Sequence, residues 1–159
     1  MNLFRTISSV LILILIPVVV LTIGKCQEKK VTIEVAEPLA YVRIYSDLNG
    51  QSHFDKEEIT FQLVDYAPPA PPISVSEALV AESVHFISSP SGWFGDWHPA
   101  PRRQFVFMLT GTMEVEVSDG EKRKFVPGDV LLVEDTSGAG HISRAVGNER
   151  AYLAVVPLE

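Results

Sequence analysis

Cysteine is nearly missing from this chain: its 159 residues contain one, Cys26. A single thiol makes no internal disulfide, so a folded domain here must be held by its core. Basic residues are scarce as well. Lys and Arg number 13 against 20 Asp and Glu, and setting aside Arg5 and Lys25 leaves 11, a net charge of −9 over residues 27–159. That balance argues against nucleic acid as a partner, because phosphate binding calls for clustered cations. No window carries a long helical period, no segment repeats, and no activated Ser or Cys motif occurs. Helical bundles, solenoids and nucleophilic hydrolases lose their support.

What is present begins with an apolar run. After Arg5 comes "VLILILIPVVVLTI", free of charge from Val10 to Ile23. Such a segment exports or anchors the chain and stands outside fold reasoning. Residues 1–26 read in three ways: a cleaved signal peptide, a lipoprotein signal acylated at Cys26, or a retained membrane helix. Lys25 stands where the lipoprotein pattern has a small residue, and the 18 residues from Ile7 to Gly24 approach the ~20 that span a bilayer. All three readings place the domain outside the cytoplasm, whether secreted, periplasmic or membrane-anchored. Residues 27–40 are expected to be a tether, and residues 41–159 the domain.

The domain reads as all-β. "YVRIYS", "ITFQLVD", "VAESVHFIS", "QFVFMLT", "TMEVEVS", "DVLLVE" and "AYLAVVPL" are short and rich in Val, Ile, Phe and Tyr. The turns "DLNGQ", "SPSG", "SDGE", "VPGD" and "VGNE" separate them. Many short strands at this spacing make a sandwich or barrel. In "TMEVEVS", Met113, Val115 and Val117 should face a core and Glu114 and Glu116 water. "QFVFMLT" is apolar on both faces and should be covered on both, the outer one by residues 57–76. "APPAPP", residues 67–72, reads as a stiff extended connection in preference to a polyproline recognition peptide.

"GWFGDWHPAPRRQFVFMLTG" resembles the first motif of the cupins, small metal-binding β-barrels. Gly92, His98 and Gly111 hold that motif's frame, while Ala100 stands at its second histidine and Gln104 at its glutamate. "PGDVLLVEDTSGAGH" is similar to the second motif, with His141 at its histidine, a loop two residues longer, and Ala145 at the expected asparagine. The two motifs cover roughly residues 80–157. The resemblance implies a single double-stranded β-helix, the jelly-roll barrel of an uncharacterised cupin subgroup with a degenerate metal motif. Carried over residue by residue, it implies a divalent-metal ligand set reduced to His98, Gln104 and His141. A neutral amide brings no charge to offset desolvation of the ion, so tight binding is not expected. Asp96, Glu134 and Asp135 are near enough in sequence to add a carboxylate.

Trp93, Trp97, His98, Arg103, Gln104 and His141 are the candidate ligand-binding residues. The tryptophans could stack on a planar ligand at the barrel mouth, and an arginine could hold a carboxylate. Arg102 and Arg103 are adjacent, so in extended backbone only one faces a pocket. His53 and His85 read as structural or exposed, and "SGAG" before His141 as a means to turn the backbone tightly. Catalytic residues remain unassigned. Three functions stay open: an exported barrel that binds a small molecule without a tightly held metal; a metal-dependent oxygenase or isomerase with a reduced ligand set; and a structural or partner-binding barrel of the envelope. Sheet-to-sheet pairing, common among cupins, offers an alternative cover for the strand from Phe105 to Leu109: a partner copy, in a homodimer, in place of residues 57–76.

Overall fold

A computed structural model describes residues 32–159 of the chain. The apolar segment 1–26 and the first part of the tether lie outside the described residues. Twelve strands follow in order, and no helix occurs among the described residues. They are β1 (Leu39–Ser46), β2 (Ser52–Ile59), β3 (Gln62–Val64), β4 (Ile73–Val75), β5 (His85–Ser89) and β6 (Phe94–His98). Then come β7 (Gln104–Thr110), β8 (Thr112–Val117), β9 (Lys122–Phe125), β10 (Val130–Val133), β11 (His141–Val146) and β12 (Ala151–Pro157).

One sheet has the order β2-β1-β10-β7-β12-β5, and a second has β6-β11-β8-β9. From β5 onward the chain passes back and forth between the two sheets, so that β10-β7-β12-β5 faces β6-β11-β8-β9. This interleaving of eight strands in two four-stranded layers is the jelly roll, or double-stranded β-helix. β1 joins β10 in parallel and, with β2, extends the first layer.

The core lies between the layers, and period-two alternation fills it. In β8, Met113, Val115 and Val117 are buried while Glu114 and Glu116 are not. Met108 of β7, Leu131 and Val133 of β10, Leu153 of β12 and Ile44 of β1 meet them from the opposite layer.

The outer face of β7 departs from the expected double cover. Phe105 is buried with Leu132 and Leu158, but Phe107 and Leu109 remain 36% and 44% exposed. The reason lies in residues 57–76. Gln62–Val64 pairs with Ile73–Val75 as a hairpin of its own, and the stretch Ser76–Ala81 runs beside the outer face, lining a groove with Phe105 and Phe107. "APPAPP" is likewise no extended connection: it turns the chain between β3 and β4, with the Ala70 N–H donating to the Ala67 carbonyl at 3.0 Å. Proline's fixed φ suits such a turn.

Candidate functional site

Between the layers lies a cavity of about 140 Å³. Its walls are mostly aliphatic, from Ile44, Val106, Met108, Leu131, Val133, Val115 and Val155, with Phe125 among them. Four polar side chains, Ser89, Gln104, His141 and Ser143, also line it, and no Lys, Arg, Asp or Glu does. Alternation explains the polar members: Gln104 shares the inward face of β7 with Val106 and Met108, and His141 and Ser143 share that of β11 with Ala145.

β11 begins at His141, whose register partners are His98 of β6 and Val117 of β8. The two imidazole rings lie 4.7 Å apart between centroids, inclined at 53°. Each has its Nδ1 committed. His141 Nδ1–H donates to Asp135 Oδ2 at 2.7 Å, and His98 Nδ1–H donates to the Asp96 carbonyl at 2.5 Å. A neutral ring whose Nδ1 carries the hydrogen presents Nε2 as an acceptor.

Asp135 has no solvent exposure, and its Oδ1 meets no hydrogen-bond partner among the described residues. The loop behind it is tightly held. Ala100 N–H donates to the Asp135 carbonyl at 3.1 Å, and Ala139 N–H to the Gly50 carbonyl at 2.9 Å. Ser46 Oγ and Ser52 Oγ donate to the carbonyls of Ser137 and Gly140 at 2.7 and 2.6 Å. "SGAG" is glycine-rich for contact as well as for turning: at φ +69°, a Cβ on Gly140 would stand 2.1 Å from the His98 carbonyl oxygen. The longer loop of the second motif thus packs against β6 and the β1–β2 turn, and delivers a carboxylate behind His141.

Trp93 lines the cavity while remaining 39% exposed. Its ring occupies the space where a Gly95 side chain would begin, 2.6 Å from an ideal Cβ, and so packs against β6. Trp97 is 45% exposed and is not part of the lining. Neither arginine reaches the cavity. Arg103 Nε donates to Glu134 Oε2 at 3.0 Å, Arg43 binds the other oxygen of the same carboxylate, and Arg102 pairs with Glu82. Burial pushes the Glu134 carboxyl up, but the hydrogen bonds from Arg103 and Arg43 outweigh it and hold the group below its ordinary value. Of the six candidates, Trp93, Gln104 and His141 line the cavity, and His98 stands beside His141 without entering the lining. Asp135, Ser89 and Ser143 join them; only Asp135 stood out in the sequence, and its direction was not readable there.

The donors do not fit a firmly held divalent ion. Two imidazoles and an amide supply no negative charge, and Asp135, the carboxylate in contact with His141, is spent on its Nδ1. Among the described residues, no three His, Cys, Asp or Glu side chains are grouped to hold a metal. The hydrogen bonds behind the rings are of the kind that orients metal-bound histidines, yet they orient a ligand-binding imidazole equally well.

No family model matches the chain, and no curated protein does. Among solved structures it is similar to a Cupin 2 conserved barrel domain protein from Salinispora arenicola, at 22% identity over 62% of this chain and 73% of that one, with a TM-score of 0.40. It is also similar to the cupin domain of Schizosaccharomyces pombe Cnp3, at 12% identity over 78% and 89% of the two chains, with a TM-score of 0.39. At such scores the fold assignment rests on the strand order, which is that of a jelly roll. The chain has a jelly-roll fold.

Proposed function

We propose that the protein is an exported barrel that binds a small, neutral, largely apolar molecule between its two sheets. The cavity carries the reading: about 140 Å³ of mostly aliphatic lining, with His141, Gln104, Ser89 and Ser143 as its polar groups. An engineered cavity of roughly 150 Å³ in another protein holds benzene, which sets the ligand's scale at one small ring. An ionised ligand would lose its hydration without meeting an opposite charge, at a cost of several kcal/mol. A compact apolar body with one hydrogen-bonding end suits such a lining.

Export rests on the apolar run from Val10 to Ile23. The same proposal includes self-association, because Phe86, Phe107, Leu109 and Tyr152 leave apolar surface on the outside of the larger sheet.

Toluene and phenol titrated into the purified domain test the binding function. Either should raise the unfolding temperature progressively, with the logarithm of its concentration above Kd, as a ligand of the folded state does. Val155→Phe, which fills the cavity from β12, should leave the fold intact and remove that response. If neither compound stabilises the parent, or the filled variant responds equally, the cavity is not a binding site.

A further inference from the structure

We infer that Asp135 selects the ligand by fixing the tautomer of His141, so that the cavity takes molecules whose polar end is a hydrogen-bond donor, a hydroxyl on a small ring. The inference rests on the proposed binding function and names its ligand class. A carboxylate only accepts, so the hydrogen between Asp135 Oδ2 and His141 Nδ1, 2.7 Å apart, belongs to the imidazole. His141 lines the cavity, and Nε2 is the ring nitrogen it has left to offer. His98, with its ring 4.7 Å away, has Nδ1 on the Asp96 carbonyl and also keeps Nε2 as an acceptor. Where His141 lines the cavity, its Nε2 favours a ligand hydroxyl, and a carbonyl or nitrile against that ring would set lone pair against lone pair.

Asp135 has a second property that makes the inference testable. Its Oδ1 is buried and meets no donor or acceptor among the described residues. In Asp135→Asn, a carbonyl oxygen at the Oδ1 position leaves the unmatched acceptor that the parent already carries, whereas an NH₂ there would be a new buried donor without an acceptor. The amide therefore turns its NH₂ toward His141 and leaves its carbonyl where the unpaired oxygen was. Imidazole Nδ1 then accepts, the ring hydrogen moves to Nε2, and the cavity presents a donor. The substitution keeps size and shape and inverts the polarity that the ligand meets. Asp135 is a positioning residue, acting through His141.

Affinities of toluene, phenol and benzonitrile for the parent and for Asp135→Asn provide the test. Toluene reports the apolar cavity, phenol a donor, benzonitrile an acceptor. The parent should bind phenol about tenfold more tightly than benzonitrile, the worth of one hydrogen bond gained and one acceptor left unmatched. Asp135→Asn should bind toluene as the parent does and reverse the other two. A residue that merely supports the loop would weaken all three together. Long-range ¹⁵N–¹H spectra of the free parent read the tautomer without any variant, and should show hydrogen on Nδ1 of His141. Hydrogen on Nε2, a parent preference for benzonitrile, or an unchanged order in the variant overturns the inference while toluene binding leaves the cavity standing. Loss of toluene binding by the parent overturns both.

Discussion

Asp135 and His141 are six residues apart in the chain and share one hydrogen bond of 2.7 Å in the interior, the carboxylate wholly buried and the imidazole nearly so. Truncating the acid leaves a buried N–H without an acceptor, which costs roughly 1–3 kcal/mol. Asp135→Ala should lower the unfolding free energy by that amount in urea titration. A change below about 0.5 kcal/mol, the range of ordinary surface substitutions, would mean that water replaces the carboxylate freely.

Two glycines of left-handed backbone separate packing from conformation. A Cβ at Gly140 would stand 2.1 Å from the His98 carbonyl oxygen, whereas at Gly120, φ +94°, it would meet nothing within 4 Å. Gly120→Ala should cost about 1–2 kcal/mol, the conformational penalty alone. Gly140→Ala should cost more than about 3 kcal/mol, since the loop must leave β6. Equal losses in thermal or urea unfolding would show that the loop yields without strain.

How much of this fold the sequence displays depends on where a strand sits in its sheet. "YVRIYS", "QFVFMLT", "TMEVEVS", "DVLLVE" and "AYLAVVPL" correspond to β1, β7, β8, β10 and β12, each flanked by strands on both sides. β2, β6 and β9 are sheet edges, and their sequences "SHFDKEEI", "FGDWH" and "KRKF" carry the charges that protect an open edge. Charge hides their alternation. "ITFQLVD" breaks at Thr60 and Phe61 between β2 and β3, and "VAESVHFIS" is strand only from His85. The interior strand "HISRAV", β11, was unread because Ser143 and Arg144 interrupt its apolar pattern.

The site divides the same way. Motif spacing brought His98 and His141 together correctly, since frame residues in paired strands fix their register. Arg103, in the bend before β7, turns to Glu134, whereas Gln104, the first residue of β7, lines the cavity. The direction of Asp135 was beyond the sequence, because the loop after it is tied to Ser46, Gly50 and Ser52, nearly a hundred residues away in the chain.

Glu134 makes stability depend on acid. Its folded carboxyl titrates below the ordinary value near 4.3, so the triad with Arg43 and Arg103 contributes fully above that value. The contribution is lost as pH falls through the depressed folded value. Parent and Glu134→Gln should therefore differ in unfolding free energy near neutrality and converge as pH falls through the depressed folded value. A difference that stays constant over that range would mean that the arginines act on Glu134 by packing alone.

Self-association should depend on the outside of β7. Phe107 is 36% and Leu109 44% exposed, with Tyr152 of β12 and Phe86 of β5 on the same sheet at 47% and 78%. A second copy of the chain laid on this face would remove much of that surface from water. Light scattering should find a dimer for residues 27–159, and a monomer for Phe107→Glu with its cavity intact. A parent that is monomeric at every working concentration would remove the dimer from the proposal.

Metal binding should be limited by charge more than by geometry. His98 and His141 already have their rings 4.7 Å apart with Nδ1 committed behind them, and Gln104 lines the cavity with His141, so the set lacks an anionic donor. Gln104→Glu supplies one on the inward face of β7, and should bind Zn²⁺ or Mn²⁺ at least ~100-fold more tightly than the parent. Without metal it should be less stable than the parent, because the new carboxylate is drawn partly out of water unpaired, and added metal should reverse the loss. Restoring the second histidine of the motif is a different matter. Ala100 is 3% exposed within the main core, so Ala100→His must overpack it at about 1–3 kcal/mol before any ligand is gained. The single substitution should therefore outperform the double one in calorimetric metal titration. Stoichiometric metal in the untagged parent, lost in His98→Ala, would show instead that two imidazoles and an amide suffice.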